Sequence, residues 1–78
     1  LNLLNSKFVI QQAHIMSARL IAEDPESVAG QVRAAYVSVY ARKPTAAEGK
    51  DCKRFIEQYG LAAFCRVLFN SNEFLFVQ

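Results

Sequence analysis

Residues 36–48 read YVSVYARKPTAAE, and this stretch contains the end of one predicted helix and the start of the next. Pro44 lacks an amide hydrogen and disfavours the helical conformation at Lys43, so the first of these helices is expected to stop near Arg42. Apolar residues of this helix recur every three or four positions, which is typical of a buried helical face. They are Val28, Val32, Ala35, Tyr36, Val39 and Tyr40.

Thr45 and Glu48 have the spacing of a capping box at the start of the following helix. The Thr45 hydroxyl can accept a hydrogen bond from the Glu48 amide, and the Glu48 carboxylate can accept one from the Thr45 amide. Loss of the Thr45 hydroxyl is expected to cost about 1 kcal/mol. Arg42 is expected to stabilise the negative end of the preceding helix. Arg42, Pro44, Thr45 and Glu48 therefore form a structural motif that turns the chain.

The N-terminal segment predicts a first helix that begins with Asn5 or Ser6 as its cap and runs to about Ala22. One stripe of this helix is expected to be buried. Two larger side chains on its flank are expected to widen the stripe. The stripe is Val9, Ala13, Met16 and Leu20, and the flanking residues are Phe8 and Ile15.

Asp24 is expected to cap the second helix. Pro25 suits the first helical position, where its missing amide would have had no partner, and Glu26 suits the positive end of the helix dipole. Gly30 has two interpretations: it is a defect inside the helix, or it allows a neighbouring backbone to approach closely.

The third helix is expected to run from Ala46 to about Tyr59 and to end at Gly60. It should bury Cys52, Phe55, Ile56 and Tyr59 and expose Lys50, Lys53 and Arg54. The fourth helix has the clearest apolar stripe and is expected to lie against the third. That stripe is Leu61, Phe64, Cys65, Leu68 and Phe69.

A short terminal helix is expected to follow, with Asn70 or Ser71 as its cap and Glu73 in the reciprocal role. The whole polar group is Asn70, Ser71, Asn72, Glu73 and Phe74. These side chains next to aromatics could also bind a peptide or sugar, but capping accounts for the same residues with fewer assumptions.

These elements predict an all-α fold, a compact bundle of four helices with a short C-terminal helical turn, as one domain over residues 1–78. The helices are expected to pack as two hairpins. The expected core consists of Phe8, Met16, Val32, Tyr36, Phe55, Phe64 and Leu68.

Composition limits the possible functions. The chain has 78 residues, a net charge of +2 and 53% hydrophobic residues, and no apolar run reaches the length of a bilayer. This charge is too small to imply a nucleic acid or an acidic membrane as a partner. Because the chain starts at Leu1 and ends on an apolar run, it is expected to be a fragment of a larger protein.

The sequence predicts no catalytic, cofactor-binding or metal-binding residues and no cofactor. His14 is the sole imidazole and lacks nearby partners, so a structural or solvated role is expected. Cys52 and Cys65 lie on apolar helical faces and are expected to be buried, reduced and inert.

The densest basic group consists of Arg42, Lys43, Lys50, Lys53 and Arg54. It permits an alternative function, a helix-turn-helix-like nucleic-acid-binding domain that uses the basic face of the third helix. Nearby carboxylates on Glu48, Asp51 and Glu57 weaken the positive field, so nucleic acid is the less favoured partner.

Three segments together resemble a known family. They are the opening LNLLNSKFVIQQA, the central YxxxYARKPTxxE and the closing LFNSNEFLFV. In this order they resemble the C-terminal end of the planctomycete domain of unknown function that is found beside cytochrome c-like domains. That family usually has leucine and glycine where Tyr40 and Ala41 stand here. If the glycine adopts a left-handed conformation, Ala41 must either accept steric strain or end the helix differently.

The resemblance implies a non-catalytic structural or interaction module at the end of a large, exported or periplasmic protein. Its partners would be the rest of the parent polypeptide and other proteins, without membrane insertion. The candidate interface is Phe8, Phe74 and Phe76.

Overall fold

The computed structural model describes residues 6–71, which form four α-helices and no strand. The helices are α1 (Lys7–Glu23), α2 (Val28–Tyr40), α3 (Ala46–Tyr59) and α4 (Leu61–Phe69). The predicted all-α bundle of four helices is therefore confirmed. The predicted terminal turn lies outside the described residues, as do Asn72, Glu73, Phe74 and Phe76.

Helix α1 begins as predicted, with Ser6 as the cap, because the Ser6 hydroxyl accepts a hydrogen bond from the Val9 amide at 3.1 Å. The predicted stripe is buried along its full length. Its members are Val9, Ala13, Met16 and Leu20.

The prediction that Phe8 and Ile15 widen this stripe is wrong, and so is the prediction that Phe8 lies in the core. Phe8 is 69% exposed and Ile15 is 57% exposed. Each residue turns the helix by about 100°, so both side chains lie roughly 110 to 130° around the axis from the centre of the buried stripe. The neighbouring helices cover the stripe and Ser17, which lies on the side of the stripe away from Phe8 and Ile15.

The predicted start of the second helix is also wrong. The cap is Ser27, whose hydroxyl accepts a hydrogen bond from the Gly30 amide at 2.9 Å, while Asp24, Pro25 and Glu26 precede the helix. Asp24 instead ends α1, since its amide donates to the Leu20 carbonyl at 3.0 Å. Pro25 and Glu26 form a turn rather than the first residues of α2, so the helix starts only after Ser27.

The position of Asp24 decides between the two interpretations of Gly30. A Cβ added at Gly30 would overlap the Asp24 carboxylate. The Asp24 carbonyl also accepts a hydrogen bond from the Gln31 side chain at 2.8 Å, which holds the turn against α2. Gly30 therefore permits a close approach, made by a side chain rather than by backbone.

The core is built from three of the four helices. Helix α1 contributes Ala13, Met16 and Leu20; α2 contributes Val32, Ala35 and Tyr36; and α4 contributes Phe64, Cys65 and Leu68. Helix α4 lies mainly against α1, so the first and last described helices close the bundle. It also lies against α3, as predicted.

Helix α3 covers one side of this core without placing a fully buried residue in it. Cys52, Phe55 and Ile56 are partly buried against the cluster, but Tyr59 is 60% exposed, which contradicts its predicted burial. Tyr59 is the last residue of α3, and its ring lies 4.8 Å from that of Phe55. The predicted exposure of Lys50, Lys53 and Arg54 is confirmed.

Gly60 ends α3 as predicted and joins it directly to α4. Its backbone has φ 95° and ψ 162°, a region that is essentially restricted to glycine. Among the described residues, no helix is both long enough and apolar enough to span a membrane.

Candidate functional site at the helix corner

The corner between α2 and α3 starts at Ala41, which has φ 58° and ψ 31°. It is the only non-glycine residue with positive φ in residues 6–71. Its amide donates to the Val37 carbonyl at 3.1 Å and closes the last turn of α2. Of the two alternatives open for Ala41, the structure shows the strained one, a left-handed alanine.

Arg42 forms an ion pair with Glu48 that bridges the corner. Its two terminal nitrogens donate to the two carboxylate oxygens, Nη1 to Oε1 at 2.8 Å and Nη2 to Oε2 at 3.0 Å. The guanidinium carbon also lies 5.3 Å from the ring centre of Tyr36 and 5.6 Å from that of Tyr40. A bidentate pair on an aromatic surface holds a guanidinium in one orientation.

The sequence did not predict this partner for Arg42, since Glu48 belongs to the first turn of α3. Stabilisation of the end of α2 by Arg42 stays a prediction. The sequence does place opposite charges six positions apart across a proline. Only the geometry of the turn shows that they meet.

Glu48 and Thr45 form the predicted capping box. The Thr45 amide donates to Glu48 Oε1 at 2.8 Å, and the Glu48 amide donates to Thr45 Oγ1 at 3.1 Å. The hydrogen bonds from Arg42, and after them the one from the Thr45 amide, lower the pKa of Glu48 from 4.5 to about 2. The carboxylate is therefore ionised at any physiological pH.

Two tyrosines of α2 connect the corner to the other helices. The Tyr40 hydroxyl donates to Ser71 Oγ at 2.7 Å, and Ser71 Oγ donates to the Leu68 carbonyl at 2.8 Å. The Tyr36 hydroxyl lies 3.7 Å from Cys52 Sγ on α3. Burial first, and then the contact with Cys52, raise the pKa of Tyr36 well above its ordinary value. The corner is thus tied to both α3 and α4.

Two residues of the predicted polar group are described, Asn70 and Ser71, and their side chains bond to carbonyls at the end of α4. The Asn70 side-chain amide donates to the Arg66 carbonyl at 2.9 Å, next to the bond that Ser71 makes. The proposed caps of a further helix concern residues 72–78, which lie outside the described part of the chain. That role of Asn70 and Ser71 stays a prediction.

Both cysteines are free thiols. Cys65 is buried as predicted, and burial raises its pKa to about 11. Cys52 is only partly buried, and burial is again the main cause that raises its pKa. Both thiols are protonated at neutral pH and are weak nucleophiles there.

His14 is exposed on α1, in agreement with a solvated role. Within residues 6–71 no group of three or more His, Cys, Asp or Glu side chains could hold a metal ion.

The five residues of the predicted basic group do not all lie together in the structure. Lys43, Lys50 and Lys53 line an open groove of about 490 Å³ between α2 and α3, and Arg33 of α2 joins them. We call this feature the basic groove. Arg42 is instead held at the corner by Glu48, and Arg54 is exposed elsewhere on α3. Arg33 was missed because no pattern in the sequence shows which side of α2 faces α3.

Comparison with known protein families, with curated proteins and with solved structures finds no match for this chain. The resemblance to the planctomycete domain of unknown function therefore stays a prediction.

Proposed function

We propose that this domain is a non-catalytic interaction module, in which one face of α1 packs against the remainder of a longer parent polypeptide. The observation that carries this proposal is the exposure of Phe8 and Ile15, at 69% and 57%. Seven positions separate them, so they lie within about 20° of each other around the helix. Burying side chains of this size stabilises a contact by roughly 1.5 to 3 kcal/mol each.

The polar groups of the corner support a structural rather than a catalytic role. Both oxygens of the Glu48 carboxylate are engaged by Arg42, and one of them also by the Thr45 amide. The Cys65 thiol is buried and protonated. These groups hold helices together, and their hydrogen bonds are directed into the fold.

The resemblance to the planctomycete domain supports the choice of partner, since that segment stands at the C-terminal end of large exported or periplasmic proteins. In such a parent, the α1 face would contact the preceding part of the same chain. Interfaces between domains of one chain are commonly of modest size and mixed polarity, which two exposed apolar side chains on a polar helix would suit.

The test compares hydrogen exchange of α1 in the 78-residue chain and in the full-length parent. We expect the amides around Phe8 and Ile15 to exchange more slowly in the parent. The double variant Phe8→Glu/Ile15→Glu should abolish that protection while leaving the melting temperature of the isolated chain nearly unchanged, since both side chains are already exposed.

His14→Glu is the matched control, because His14 is exposed and lies about 100 to 120° around the same helix from Ile15 and Phe8. It should leave the protection in place. Equal exchange rates in the two proteins, or an open reading frame that encodes no further domain, would overturn the proposal.

A further inference from the structure

We propose that the basic groove binds an acidic peptide segment of a partner protein. The groove is lined by the turn between α1 and α2, the N-terminal half of α2, the corner, and residues 49–53 of α3. Its volume of about 490 Å³ falls within the usual range of sites that enclose a small ligand or a few peptide side chains. No residue of α1 lines it, so this inference goes beyond the proposed α1 contact.

Four cations and one carboxylate face the groove. The cations are Arg33, Lys43, Lys50 and Lys53. None of them is in an ion pair within residues 6–71, where the recorded salt bridge joins Arg42 to Glu48. Within the described residues, no carboxylate lies at ion-pair distance from these four cations.

The single carboxylate, that of Asp24, lies beside the start of α2. It lies against Gly30 in the first turn of α2, where the partial positive charge of the helix end favours an anion. Four cations against one carboxylate leave the groove with a net positive charge, which favours an incoming anionic segment.

The floor of the groove is made of small or apolar residues. Gly30, Val32, Pro44 and Gly49 line it, and a Cβ added at Gly49 would meet no atom within 4 Å. Small apolar side chains of a peptide can lie on such a floor while carboxylates in alternate positions reach the cations. An extended peptide presents this alternation naturally, since successive side chains point to opposite sides.

Nucleic acid fits these features less well. Proteins that bind single strands stack bases on aromatic side chains, and the described residues that line the groove include no aromatic. The net charge of the chain is only +2, and carboxylates of Asp51 and Glu57 share the exposed side of α3 with its lysines. A long phosphate backbone would meet both signs of charge, whereas a short acidic segment meets the groove alone.

Gly49 provides a steric test that does not depend on charge. A Cβ at this position meets no atom within 4 Å and Gly49 lines the groove, so a leucine there is expected to take up part of the groove and obstruct a ligand. Leucine also has a higher helix propensity than glycine, so the variant should fold at least as stably as the wild type.

The experiment titrates the protein with a fluorescein-labelled ten-residue peptide that alternates glutamate and valine, and with a matched peptide in which glutamine replaces glutamate. We expect binding of the acidic peptide that weakens with salt, and at least about tenfold weaker binding of the glutamine peptide. The affinity for the acidic peptide should fall about tenfold or more in Lys50→Glu/Lys53→Glu and in Gly49→Leu. The melting temperature of Gly49→Leu should be no lower than that of the wild type.

Phe8→Glu/Ile15→Glu should bind the acidic peptide as the wild type does, which keeps this result separate from the α1 contact. Equal binding of both peptides, or undiminished binding by a folded Gly49→Leu variant, would overturn the proposal. A duplex or single-stranded DNA that binds more tightly than the acidic peptide, and loses that binding in the lysine variant, would overturn it in favour of a nucleic-acid site.

Discussion

Ala41 has a backbone conformation that costs free energy in the folded protein. A left-handed conformation at a residue with a Cβ is disfavoured by about 1 to 2 kcal/mol relative to the right-handed helix. The conformation persists because the amide still bonds to Val37 and because Arg42, the next residue, is held by Glu48. The corner therefore determines the conformation of Ala41, rather than the reverse.

Ala41→Gly is expected to stabilise the protein. Glycine removes the steric strain, while the greater freedom of the unfolded chain offsets roughly 0.4 to 1 kcal/mol of the gain. The net gain should be about 0.5 to 1 kcal/mol, which raises the melting temperature by about 2 to 8 °C in a domain of this size. Thermal unfolding followed by circular dichroism measures the change.

Ala18→Gly is the control for this substitution, since Ala18 lies inside α1 with ordinary helical geometry and an exposed side chain. It should lower stability by up to about 1 kcal/mol. If Ala41→Gly lowers the melting temperature as Ala18→Gly does, the strain argument is wrong.

At the scale of helices, the corner depends on an ion pair that joins consecutive elements. Arg42 follows α2 and Glu48 belongs to α3, so their contact couples the angle between two helices to the charge of one carboxylate. Both side chains keep partial access to solvent, at 39% and 34% exposure. Salt should therefore weaken the coupling.

Glu48→Gln is expected to change how stability depends on pH. The pKa of Glu48 is lowered from 4.5 to about 2 in the folded protein, so folding favours the carboxylate. Its contribution is complete above about pH 5 and is lost as the pH falls toward 2. The wild type should be more stable than Glu48→Gln at pH 7, and the two should converge near pH 2.

Urea unfolding between pH 2 and pH 7 measures this difference. Glu57→Gln is the control, because Glu57 is an exposed carboxylate on the same helix. The difference in urea unfolding midpoint between Glu57→Gln and the wild type should be the same at every pH in this range. A constant difference between Glu48→Gln and the wild type at every pH would contradict the assignment.

At the scale of the whole molecule, α4 completes the core through its contact with α1. Phe64 is 3% exposed, and it packs in the cluster that contains residues of α1 and α2, whereas Val67 on the same helix is 46% exposed. A domain of this size has a total stability of roughly 4 to 12 kcal/mol. One large buried side chain is a considerable share of that total.

Phe64→Ala is expected to lower the free energy of unfolding by about 3 to 5 kcal/mol, because it removes buried apolar surface and leaves a cavity. Val67→Ala should change it by less than about 1 kcal/mol, since that side chain is already half in water. Chemical denaturation of both variants measures the contrast. Similar losses for the two would mean that α4 does not pack as described.

Several features of the fold could be read directly from local chemistry. Pro44 and Gly60 place two helix boundaries, because one removes a backbone donor and the other reaches a conformation that side chains disfavour. Thr45 and Glu48 specify the start of α3, since their partners lie within one helical turn. Each of these signals needs no information about the rest of the molecule.

The predictions that were wrong concern positions where the local sequence allows more than one structure. Asp24 and Ser27 are both good caps, and the choice between them depends on where the turn after α1 ends. Phe8 and Tyr59 are large and apolar, but they lie where no neighbouring helix covers them. Residue type alone cannot show which side of a helix will have a neighbour.

Local sequence therefore determined the class of fold, the helix ends at the corner and the buried stripe of α1, because backbone hydrogen bonding and helical periodicity act over a few residues. Tertiary structure alone decided that α4 packs on α1, that Arg42 meets Glu48 and that Arg33 joins the lysines of the corner and α3. These contacts depend on the relative placement of whole helices, which is set by how their side chains fill the shared core.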